Sequence, residues 1–127
     1  MNALDTKDKF KCRVCGLDQS PDMPWGENGR EPSHDICSCC GVEFGYEDDG
    51  LENCLSVRRN WVEVRRCEWF SPKDRPVDWN MPAQIRGIPL AYKGAEDEQL
   101  IQLCLQTGKP PLQGLAALSA VEKPDRQ

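Results

Sequence analysis

A chain of 127 residues is long enough for one compact domain and too short for two independently folding cores. With 39% apolar residues, 29% charged residues, ten Gly, ten Pro and a formal charge of -5, it reads as loop-rich, with only a modest core. This excludes large multi-domain machinery, a membrane span of about 20 apolar residues, and bulk attraction to nucleic-acid phosphate.

In chain order, residues 1–9 are polar and aperiodic, carry Asp5, Lys7, Asp8 and Lys9, and contain no apolar signal-peptide segment. They predict a flexible leader on a cytoplasmic protein. Residues 10–50 are dominated by Cys, Gly, Pro and acids, with turn chemistry at Ser20-Pro21-Asp22, Pro24-Trp25-Gly26 and Glu27-Asn28-Gly29, so short strands and loops are expected. Residues 51–107 read as a helical extension. From Leu51 to about Glu68 there is no Gly or Pro, Asp49 and Glu52 resemble a capping box, and Leu51, Cys54, Leu55, Trp61, Val62 and Val64 form an apolar stripe. Ser71-Pro72 interrupts that helix. Asn80 then looks like the N-cap of a short helix over Met81 to Ile85, stopped by Gly87. A further helix is predicted from Gly94 to Thr107, with Glu96, Asp97 and Glu98 at its front and Gly108 as its stop. Residues 108–127 form a tail in which Leu112, Leu115, Leu118 and Val121 recur three apart, a weak amphipathic pattern.

The strongest signal is an internal repeat. Cys12-Arg13-Val14-Cys15-Gly16-Leu17 and Cys37-Ser38-Cys39-Cys40-Gly41-Val42 both read C-x-x-C-G followed by an aliphatic residue. In a reducing compartment eight cysteines point first to metal ligation and second to disulfides. A C-x-x-C turn aims two sulfurs at one tetrahedral ion about 2.3 Å away, and the Gly that follows tolerates a left-handed backbone. Because Cys40 precedes Gly41, the expected ligands are Cys12, Cys15, Cys37 and Cys40, with Cys39 outside them. His34, three residues before Cys37, is the alternative fourth ligand. Cys54, Cys67 and Cys104 fall in predicted helices and read as small buried apolar residues. Four protein ligands leave no open position for water or substrate, so a structural zinc ion is expected; spacing alone does not separate it from iron.

Lys11-Cys12-Arg13-Val14-Cys15-Gly16, Pro24-Trp25-Gly26, Ile36-Cys37-Ser38-Cys39-Cys40-Gly41, Glu43-Phe44-Gly45-Tyr46-Glu47-Asp48 and Trp69-Phe70-Ser71-Pro72 together resemble the bacterial cysteine-rich CPCC proteins. Ser38 stands where that family usually has proline. The resemblance implies an α+β fold, a small zinc ribbon of two knuckles and short strands packed against two to four α-helices. It also implies a protein-binding role, because some members are candidate immunity proteins of polymorphic toxin systems. The paired C-x-x-C-G turns are similar as well to rubredoxin, where such a site holds iron and carries electrons, but rubredoxins lack a comparable helical remainder.

Glu43, Glu47, Asp48, Asp49 and Glu52 make one acidic segment around Tyr46. It can block a basic cleft of a protein partner, such as a cognate toxin, or simply complement the dipole of the helix that follows. Arg58, Arg59, Arg65 and Arg66 recur seven apart and predict a solvated basic strip, the only footing for a nucleic-acid-binding zinc ribbon. No enzyme template closes: there is one histidine and no G-x-S-x-G, P-loop or open metal-site motif. The expectation is a non-enzymatic zinc protein acting by stoichiometric protein binding.

Overall fold

A computed structural model of the chain describes residues 6–106. Leader residues 1–5 and the amphipathic pattern at 112–121 lie outside them. Thr6–Phe10, whose residues 6–9 are expected to belong to the leader, forms a 3-10 turn, and Lys9 Nζ donates to Glu27 Oε2 at 2.9 Å. Three α-helices follow: α1 (Leu51–Glu63), α2 (Met81–Arg86) and α3 (Asp97–Gln106). Single 3-10 turns occupy Pro72–Asp74 and Leu90–Tyr92.

The expected short strands are corrected. Among the described residues β pairing is limited to two isolated antiparallel bridges, Lys11 with Asp18 and Ile36 with Glu43. Each bridge closes one cysteine turn, and the turn itself uses the backbone groups a ladder would need. In the first, Cys12 N–H donates to Leu17 O at 3.0 Å and Gly16 N–H to Cys12 O at 2.9 Å. In the second, Cys37 N–H donates to Val42 O and Gly41 N–H to Cys37 O, both at 2.9 Å. The result is a small helical, cysteine-rich fold built on two matching knuckles. Gly16 sits at φ 86, and a Cβ there would collide with the Gln84 carbonyl of α2, so this helix lies directly on the first knuckle.

The α1 helix departs from expectation at both ends. Gly50, at φ 97, occupies the cap position and no side chain caps the helix. Asp49 is therefore not an N-cap; only its carbonyl is engaged, accepting from Asn53 Nδ2 at 2.9 Å. At the other end α1 stops at Glu63 rather than near Glu68, because Arg66 and Cys67 take left-handed φ angles of 53 and 60. Such backbone costs about 1 kcal/mol or more per non-glycine residue, and nearby contacts offset it. Cys67 N–H donates to Trp61 O at 2.9 Å, and Trp61 Nε1 donates to Glu68 O at 3.0 Å. Beyond the bend, Phe70 N–H reaches Cys39 O at 3.0 Å and Ser71 N–H reaches Ser38 O at 2.9 Å. The chain is thereby returned onto the second knuckle, and Trp69 packs edge-on to Trp79 with centroids 5.4 Å apart.

The later helices follow their local signals. The Asn80 side chain accepts from Ala83 N–H at 3.0 Å, and Gly87 caps the other end of α2. Asp97 opens α3 by accepting from Gly94 N–H at 2.8 Å. Leu100, Ile101 and Cys104 turn α3 toward the core, where it packs on α1 and α2. No helix of the described residues is long and apolar enough to cross a membrane.

Candidate metal centre

The core of the molecule is sulfur-rich. Cys12, Cys15, Cys37 and Cys40 are all buried, and their Sγ atoms lie within 4.8 Å of one another. Cys12 and Cys40 stand 3.7 Å apart across the knuckles, as do Cys15 and Cys37. A tetrahedron with arms of about 2.3 Å has edges of about 3.8 Å, so this donor set fits one ion held by four thiolates. The four can hold a metal, and zinc is a fitting one.

Several contacts aim and polarise the sulfurs. Val14 N–H points at Cys12 Sγ and Gln19 Nε2 at Cys37 Sγ, each at 3.4 Å. The Arg65 guanidinium donates to Cys40 O. The Gln84 carboxamide bridges the knuckles from α2: Nε2 donates to Cys15 O at 3.2 Å and to Cys39 Sγ at 3.4 Å, while Oε1 accepts from Trp79 Nε1 at 2.8 Å. Cys39 is thus buried beside the tetrad but faces α2 instead of joining it. His34 is exposed and does not join the sulfur group.

Burial pushes the Cys12, Cys15 and Cys40 thiols well above the ordinary range, whereas hydrogen bonds from Cys12, Cys15 and Cys40 hold Cys37 well below it. With three of the four thiols held above their ordinary range, the sulfurs resist ionisation when no ion is bound. Zinc requires all four as thiolates, so its binding displaces protons. Protons compete with the metal, and affinity must rise with pH. Competition with a chromophoric chelator between about pH 6 and pH 8 should show affinity growing steadily with pH. An affinity independent of pH would mean that the thiols ionise ahead of the metal.

The acidic segment divides. Glu47, Asp49 and Glu52 are exposed and Glu43 is half-buried, alongside Tyr46 at 73% exposure. Asp48, expected among the partner-binding acids, is 0% exposed. Its carboxylate accepts from Trp25 Nε1 at 2.9 Å and Gly45 N–H at 2.7 Å, so it braces the loop after the second knuckle and is unavailable to a partner. The Trp25 ring in turn stacks against Arg13, whose guanidinium carbon lies 4.1 Å from that ring and 4.4 Å from Tyr92.

The expected basic strip is also broken. Arg58 is 0% exposed, donating to Val14 O at 2.7 Å, Arg13 O at 2.9 Å and Tyr92 O at 2.7 Å, and pairing with Asp97 at 2.8 Å. Local pattern could not announce this, since Arg58 differs from its neighbour Arg59 only by one step round the helix. Arg59 pairs at the surface with Glu96 at 2.8 Å. Cys54 behaves as a buried thiol, pushed up to about 12 by burial and the nearby Asp48 charge.

No protein-family model matches the chain, and no solved structure matches it. Among curated proteins, the chain is similar to the uncharacterized protein YoaQ of Bacillus subtilis (strain 168), with 38% identity over 40 residues. That match covers 32% of this chain and 34% of YoaQ, so the chain spans about a third of the relative's length.

Proposed function

We propose that the protein is a non-enzymatic zinc protein that acts by stoichiometric binding to another protein. The observation that carries this is the closure of the tetrad: four buried sulfurs within 4.8 Å of one another leave no position for water or substrate, so the ion organises structure instead of performing chemistry. The two knuckles joined by that ion correspond to a ribbon-like unit, and α1 to α3 close round it. Resemblance to the CPCC proteins supports an immunity-type role, in which the exposed carboxylates of Glu47, Asp49 and Glu52, next to Tyr46, enter the basic cleft of a cognate toxin.

Native mass spectrometry of the complex captured from its own cell tests both halves of this proposal. The expected species contains one partner chain and one zinc ion. Charge reversal at Glu47 and Asp49 should weaken that complex by at least tenfold while leaving zinc bound. Asp48 is left intact because its removal would disturb the loop. Bound iron cycling between two oxidation states would replace the proposal with a rubredoxin-like electron carrier. Salt-dependent capture of nucleic acid, lost on substitution of Arg59 and Arg66, would replace it with a nucleic-acid module.

A further inference from the structure

A second pair of sulfurs stands apart from the tetrad. Cys67 follows α1 in left-handed backbone, Cys104 lies on α3, and 37 residues separate them, yet their Sγ atoms are 3.1 Å apart and both side chains are buried. A disulfide bond measures about 2.05 Å, so about 1 Å of approach closes the pair. From this geometry we infer that Cys67 and Cys104 form a reversible dithiol–disulfide site that takes a low-molecular-weight disulfide as its oxidant. The inference does not rest on the proposed partner binding or on the identity of the metal.

The two sulfurs are unequal. The hydrogen bond shared by the two sulfurs, with the charge of Arg66, holds the Cys104 thiol below the ordinary value. Cys67 is held above it by the same bond and by burial. Cys104 is thus the attacking sulfur. It lies in the last turn of α3 between Leu103 and Leu105, which are 39% and 45% exposed, so local opening of one helical turn uncovers it without disturbing the knuckles. Its thiolate attacks one sulfur of the small disulfide, the oxidant's S–S bond breaks, and one small thiol departs with the Cys104 proton. Cys67 then displaces the second small thiol from Cys104, and its own proton leaves with that group. One protein S–S bond has formed, two electrons have passed to the oxidant, and two small thiols have been released.

The test incubates zinc-loaded, full-length protein with oxidised glutathione, blocks free thiols and digests with trypsin without reduction. Cys67 begins the tryptic peptide of residues 67–73, and the peptide holding Cys104 contains no other cysteine, so a crosslink between them is unambiguous. The expected result is that crosslink, its reversal by dithiothreitol and unchanged zinc content. In Cys67→Ala the crosslink should vanish and glutathione should remain on Cys104. In Cys104→Ala neither crosslink nor glutathione on Cys67 should appear. The inference is overturned if the wild-type protein accumulates glutathione on Cys104 without crosslinking, if oxidation joins only tetrad cysteines, or if neither sulfur reacts. The wild-type result stands by itself should either variant fail to fold.

Discussion

Serine in place of Cys15 or Cys40 is expected to unfold the protein at any zinc concentration that leaves the wild type folded. The expectation follows from what joins the two knuckles. Each is closed by its own backbone hydrogen bonds, and among the described residues no β ladder runs from one to the other. Gln84 spans the gap with two hydrogen bonds, and the main link is the sulfur tetrad buried at the centre of the core. A four-thiolate zinc site contributes folding free energy on the order of 10 kcal/mol, comparable with the entire net stability of a small domain. Loss of one ligand leaves a buried hydroxyl, three thiolates and a weakly held ion, so the deficit exceeds what the helices can supply. Circular dichroism and tryptophan fluorescence, read beside zinc stoichiometry, will check it. Cys39→Ala serves as the contrast: it removes one Gln84 contact, lies outside the tetrad and should keep a full equivalent of zinc. A Cys15→Ser protein with an unchanged melting midpoint would show that the tetrad does not hold the fold.

The second large effect belongs to a residue with no sulfur. Arg58→Met should cost about 3–5 kcal/mol, the usual penalty for breaking a buried ion pair from one side. The guanidinium, itself buried, reaches three backbone carbonyls and one carboxylate: Val14 and Arg13 in the first knuckle, Tyr92 in the turn before α3, and the half-buried Asp97 at the start of α3. Removing it strands the three carbonyls, leaves the Asp97 carboxylate with only the Gly94 N–H, and loosens the knuckle from α1 and α3 together. Adding Asp97→Leu should recover only part of the loss, because the three carbonyls remain without their donor. Arg59→Met, one residue further on, should cost less than about 1 kcal/mol, since its pair with Glu96 is exposed and screened. Urea unfolding of the three variants will rank them, and equal midpoints for Arg58→Met and Arg59→Met would remove Arg58 from its place at the centre of the fold.

How much was legible in the sequence depends on the range over which each feature is decided. The knuckles are local objects: the C-x-x-C-G spacing places two sulfurs and a left-handed glycine within one turn, and the order Cys39-Cys40-Gly41 already tells which sulfur faces inward. The same holds for α2, where Asn80, Pro82 and Gly87 punctuate six residues. Short strands and loops are expected around the cysteines because the Gly, Pro and turn sequences there exclude long helices, but each knuckle consumes its own donors and acceptors and leaves nothing for a ladder. The end of α1 was misplaced for a different reason. Leu51 to Glu68 contains no helix breaker, and the bend at Arg66 and Cys67 is fixed by Trp61 together with packing against the second knuckle and α3, both of which are distant in sequence.

The four sulfurs of the candidate centre, the place of Cys39 outside it and the presence of three helices, though not the end of α1, are legible in the chain, since each is written in short local spacings. Folding is what buries Arg58 and Asp48, leaves Glu47, Asp49 and Glu52 on the surface, and brings Cys67 to Cys104. A charged side chain goes inside only where distant segments supply its partners: three carbonyls and a carboxylate for Arg58, an indole and an amide for Asp48. That supply depends on how the knuckles and helices fold against one another, and no local pattern records it.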